Sequence, residues 1–79
     1  MLDDYQAILV FMAVASRPLT AREIAEGCGT YDLLGTFWAS QRLQSLQQRK
    51  FIRKVQRGLY LITDLGRNTV LIMENSDEQ

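Results

Sequence analysis

The chain has 79 residues, nine Lys and Arg against nine Asp and Glu, no histidine, one cysteine and one proline, with 47% hydrophobic residues. That length allows one small domain with a modest core, so burial against a second copy is a standing expectation. The lack of histidine removes Ser-His and Cys-His nucleophile pairs and histidine metal sites. A lone Cys28 removes a disulfide framework and a CxxC metal pair, which makes the cytoplasm the default compartment.

The first helix is predicted to begin at Asp3, whose carboxylate can cap free backbone amides, and to stop before Pro18. Leu2, Tyr5, Ile8, Leu9 and Met12 form its core stripe on a helical wheel, while Ala7, Val10, Phe11 and Val14 make a second apolar side that needs a cover. The run from Ala7 to Ala15 is too short to span a bilayer and follows Asp3 and Asp4, so neither a membrane span nor a signal peptide is expected.

Thr20-Ala21-Arg22-Glu23 has the capping-box spacing and opens a short second helix with Ile24 and Ala25 inward. That helix is expected to end at Gly27 in a left-handed cap, before a turn through Thr30. Tyr31 to Gly35 either extends this turn or forms an initial helical turn. The third helix is expected from about Thr36 to Gln48, with Ala39, Leu43 and Leu46 as its seam. Its far face carries Phe37, Gln41, Gln44, Ser45 and Gln48, flanked by Trp38, Arg42 and Arg49, with no acidic side chain.

Phe51 to Val55 and Leu59 to Ile62 read as a hairpin around Gln56-Arg57-Gly58. Thr63-Asp64 then caps a last helix through about Met73, in which Leu65, Val70, Leu71, Ile72 and Met73 leave little polar face. Residues 1–73 are read as the folded domain, and Glu74 to Gln79 as a mobile acidic tail.

Charge is segregated along the chain. Gly35 to Tyr60 contains Arg42, Arg49, Lys50, Arg53, Lys54 and Arg57 without any Asp or Glu, between two acidic flanks. A polyanion can bind such a stretch, and a long helix followed by a basic-tipped hairpin makes nucleic acid the favoured partner. Gln41, Gln44 and Gln48, with Ser45 beside them, are candidates for base readout, because a Gln amide can pair bidentately with adenine. Arg42, Arg49, Lys50, Arg53 and Lys54 are candidates for phosphate contacts, and Arg57 for insertion into a minor groove. A solvated polar face would explain each of these residues taken singly.

Leu19-Thr20 with Glu23-Ile24-Ala25, then Leu43 and Leu46 with Phe51-Ile52, then Gly58 through Tyr60, Ile62, Thr63 and Gly66 resemble the winged helix-turn-helix domain of small bacterial and phage transcription regulators of the MarR-like and PadR-like kind. The resemblance covers about residues 2 to 73. It implies a mainly α fold with a small β-hairpin: a three-helix core, a wing and a C-terminal helix. It also implies sequence-specific binding of double-stranded DNA in transcription regulation. The stretch from Gly27 to Ser40 is a few residues longer than a compact helix-turn-helix needs. A homodimer is expected through Val10, Phe11, Val14, Val70, Leu71 and Met73, and no cofactor, metal or enzymatic activity is expected. Two alternatives stay open: a winged-helix module that docks on another protein, including a regulatory one, and a replication or recombination accessory protein.

Overall fold

The computed structural model describes residues 3–29 and 33–77, with side chains in the second stretch from 34 to 73. In chain order these form α1 (Asp4–Ala15), α2 (Ala21–Gly27), α3 (Leu33–Gln48), β1 (Ile52–Gln56), β2 (Leu59–Ile62) and α4 (Asp64–Asp77). The fold is mainly helical, with one two-stranded antiparallel hairpin.

Both early helices start on capping boxes. The Asp3 carboxylate accepts from the Gln6 amide at 2.8 Å while Gln6 returns to the Asp3 amide, and Thr20 and Glu23 exchange the same pair of bonds. The bond from the Thr20 amide, followed by that from Arg17, holds the Glu23 carboxyl below its ordinary range. A lowered carboxyl favours the fold above its unfolded-state pKa, and that contribution fades as pH falls through the folded value. Glu23 is therefore explained as a helix cap.

Apolar side chains from α1, the α1–α2 connector, α2, α3 and β1 meet in the deepest core. Ile8 and Met12 of α1, Leu19, Ile24 of α2, Leu43 and Leu46 of α3 and Ile52 of β1 are each less than 2% exposed. Burying such an aliphatic side chain contributes roughly 1.5–3 kcal/mol before chain entropy is counted. Of the stripe expected on α1, Ile8, Leu9 and Met12 are inside. Tyr5 remains exposed, and Leu2 lies outside the described residues.

Several boundaries differ from expectation. Helix α3 takes in Leu33 to Gly35, so the initial-turn arrangement holds and the helix starts about three residues before Thr36. Gly27 is helical, and the left-handed residue is Gly29, at φ 91°. Gly27 answers a different need, because a Cβ there would collide with the ring of Phe11. Gln56 belongs to β1, leaving Arg57-Gly58 as the turn, and a bulge at Val55 shifts the register between Lys54↔Tyr60 and Gln56↔Leu59. Helix α4 continues to Asp77, four residues beyond Met73 and into the segment expected as a tail.

Two devices set the position of the hairpin. Leu19 and Tyr60 exchange backbone bonds of 2.8 Å in both directions, so the connector between α1 and α2 lies along β2 like a one-residue third strand. The second device is Thr63. Its amide donates to the Phe51 carbonyl at 3.0 Å, its hydroxyl lies 2.7 Å from the Lys50 carbonyl and 2.9 Å from that of Phe51, and the same oxygen accepts from the Gly66 amide. Gly66 has no room for a side chain, since a Cβ would meet the Phe51 carbonyl and the Ile62 side chain. Thr63→Val is expected to cost about 1–3 kcal/mol by leaving polar groups unpaired. Gly66→Ala is expected to cost at least about as much by overpacking; urea unfolding midpoints at constant slope check both values.

Candidate nucleic-acid interface

Helix α3 buries Ala39, Leu43 and Leu46, and the 3.6-residue period then turns Phe37, Gln41, Gln44 and Gln48 outward as one stripe. The three glutamines are exposed, Ser45 is half-buried, and Phe37 is 61% exposed at the N-terminal end of the stripe. Gln44, Gln47 and Gln48 together line a shallow recess of about 350 Å³. Gln47 was not among the sequence candidates, although its place beside Gln48 on an acid-free helix was the available signal. The stripe therefore presents amide donors and acceptors on a convex rod.

The cations of the basic stretch do not share one face. Arg42 turns towards α1: its Nε donates to Asp4 Oδ2 at 3.0 Å, its guanidinium lies 4.9 Å from the Trp38 ring centre, and Nη1 donates to the Trp38 carbonyl. The Trp38 indole donates to the same Asp4 oxygen at 3.3 Å. Arg42, expected at phosphates, is thus neutralised in place, and Trp38 is a packing and hydrogen-bonding group. Asp4 was read only as part of an acidic flank, because nothing local in the sequence pairs it with a residue 38 positions on.

Arg49 and Lys50 follow α3 and are exposed. The Lys50 amide donates to Gln47 and the Phe51 amide to Leu46, which closes the helix with Lys50 left-handed at φ 68°. Arg53 and Lys54 are adjacent on β1 and so project to opposite faces of the hairpin. Lys54 lies over the ring of its cross-strand partner Tyr60, 5.9 Å from the centre. Arg53 faces the start of α4, and Arg57 is exposed in the turn. Among the described residues, Arg49, Lys50, Arg53, Lys54 and Arg57 make no ion pair.

The residues expected at a dimer interface separate in the same way. Val70 is 5% exposed and Phe11 packs on Gly27, so both are engaged within the chain. Met73 is half-buried against the core. Val14 is 79% and Leu71 55% exposed, and with Val10, Ala13, Arg67 and Val70 they line a largely apolar groove of about 290 Å³ between α1 and α4. Leu65 and Ile72 are exposed as well.

Burial, followed by the charge of Asp4, pushes the Cys28 thiol up, which disfavours the thiolate that a nucleophile or redox group needs. Among the described residues no group of three or more acidic, Cys or His side chains is placed to hold a metal, and no helix is long and apolar enough to cross a membrane. Comparison with protein families, curated proteins and solved structures finds no match to this chain. The assignment of function therefore rests on its own chemistry.

Arg42→Ala is expected to lower stability by about 0.5–1 kcal/mol, the range of a partly exposed ion pair with a stacking contact. It should leave the salt dependence of polyanion binding nearly unchanged, and Arg57→Ala should do the reverse. Urea unfolding and a salt titration on the two variants check this pattern.

Proposed function

We propose that the chain is a winged helix-turn-helix protein that binds double-stranded DNA and regulates transcription as a homodimer. In this reading α3 enters the major groove and the hairpin is the wing. The observation that carries the reading is the exposed, acid-free face of α3, which offers Gln41, Gln44 and Gln48, with Arg49 and Lys50, which make no ion pair among the described residues, at its end. A Gln amide can pair with adenine N6 and N7, whereas guanidinium and ammonium groups hold phosphates without reading sequence. Arg57 at the wing tip is placed to enter a minor groove, where the potential is most negative. Arg42 leaves the contact set and acts by orienting α3 against α1.

The binding measurement separates these roles. Duplex affinity should fall steeply with salt, and Arg57→Ala should flatten that slope by about one phosphate equivalent. Gln44→Ala should instead cost about 1–3 kcal/mol of discrimination between a selected site and random duplex. Absence of duplex binding at low salt would remove the assignment.

Self-association follows from the groove between α1 and α4. Two-fold pairing there buries Val14 and Leu71 of both copies and can set the two α3 helices roughly 34 Å apart, one turn of duplex. Leu71→Glu, exposed and hence tolerated by the monomer fold, should convert a sedimenting dimer to monomer and weaken duplex binding. A wild-type monomer at high micromolar concentration would refute the dimer. The same apolar surface, with zero formal net charge, supports a second reading as a module that docks on another protein. A replication or recombination accessory would use the DNA face already described and differ in its DNA site.

A further inference from the structure

The hairpin face opposite Lys54 holds a second basic feature that the α3 surface does not include. Arg53, Leu61, Ile62, Thr63, Asp64 and Arg67 line a recess of about 420 Å³ between the hairpin and the first turns of α4. Arg53 is cross-strand from Leu61, and Arg67 stands one helical turn beyond Thr63, to whose carbonyl its amide donates. Two arginines thus border one concavity, and Arg67 also borders the α1/α4 groove. Neither makes an ion pair among the described residues, although Asp64 lines the same recess. Elsewhere Arg17, Arg22 and Arg42 each reach a carboxylate at 3.0–3.1 Å.

We propose that Arg53 and Arg67 form a phosphate-binding site, with both guanidinium groups directed to one phosphate. Guanidinium donors are arranged as planar forks that match phosphate oxygens, and two arginines that line one recess without an ion pair among the described residues keep that capacity open, with the Asp64 carboxylate as its competitor. The recess also adjoins the end of α3, because Thr63 is bonded to the Lys50 and Phe51 carbonyls. Under the DNA-binding reading, on which this use of the site rests, the phosphate belongs to the duplex backbone beside the groove occupied by α3. Arg67 then joins the contact set, which the basic stretch ending at Tyr60 did not contain. The other source of the same chemistry is a free phosphate.

The test combines a salt series on duplex with an NMR titration of inorganic phosphate, observing the arginine side-chain Nε–H signals. Arg53→Gln and Arg67→Gln should each weaken duplex binding at low salt, and the double variant should lower the salt slope by about one phosphate equivalent. A loss of about two would mean two separate phosphates and overturn the shared site. Asp64→Asn should tighten binding. Arg67→Lys, which keeps the charge, should retain most of the slope, and sedimentation of Arg67→Gln checks that the neighbouring groove is intact. If wild type binds duplex while both Gln variants keep its slope, the inference fails and the DNA reading stands. If no duplex binds but phosphate shifts the Arg53 and Arg67 signals together, the site holds as one for free phosphate; if neither ligand acts, site and reading both fall.

Discussion

The docking of Thr63 and Gly66 on the Phe51 carbonyl is the constraint on which the rest of the structure depends. Phe51 is the residue at which the chain leaves α3 and enters β1, and Thr63 is the residue at which it leaves β2 and enters α4. Bonding these two exits together closes the hairpin at its base and sets the start of α4 against the end of α3. The bare Cα of Gly66 then allows α4 to approach closer than any side chain would permit. The Leu19–Tyr60 bridge secures the other side of β2, so the hairpin is held at two places before its exposed turn. Without that bracing, a two-stranded hairpin has little stability of its own.

Rigidity at the junction matters because the charges at issue stand on either side of it. A neutral chain generates no long-range attraction for a polyanion, and any attraction has to be local. The ion pair from Asp4 to Arg42 removes one cation near the middle of α3. Positive potential is consequently concentrated around Arg49 and Lys50 and along the hairpin, while the remainder of the α3 face is amide and aromatic. Lys50 also occupies a left-handed cap in which glycine is the usual residue. A cation next to the carbonyl end of a helix is electrostatically favoured, which partly offsets that conformational cost.

Local chemistry was legible in the sequence wherever it was confined to a few consecutive residues. The Asp3 and Thr20 caps, the seam of Ala39, Leu43 and Leu46, the hairpin and the start of α4 all follow from short-range spacing. What stayed hidden depends on contacts between distant segments. The reason for Gly27 lies in Phe11, that for Gly66 lies in Phe51, and the reach of Asp4 to Arg42 crosses 38 positions. The same limit applies to the candidate interface. Counting cations along the chain treated Arg53 and Lys54 as one patch, whereas strand geometry sends them to opposite faces. Arg67 was passed over because it stands among acidic neighbours in sequence.

Under the proposed reading, the division between amides on α3 and cations around its end has an energetic consequence. Phosphate contacts supply most sequence-independent affinity, and a chain with no net charge has less of it than a strongly basic one. Glutamine contacts to bases discriminate between sequences but are worth only about 1–3 kcal/mol each. A single copy would therefore bind weakly even at a good site. Joining two copies through the α1/α4 groove makes the second contact intramolecular, so a modest affinity per copy becomes a substantial one when the half-sites match the spacing. The exposed Val14 and Leu71 and the sparse charge of α3 are then two sides of one requirement: the apolar surface supplies through pairing what the electrostatics of one chain do not.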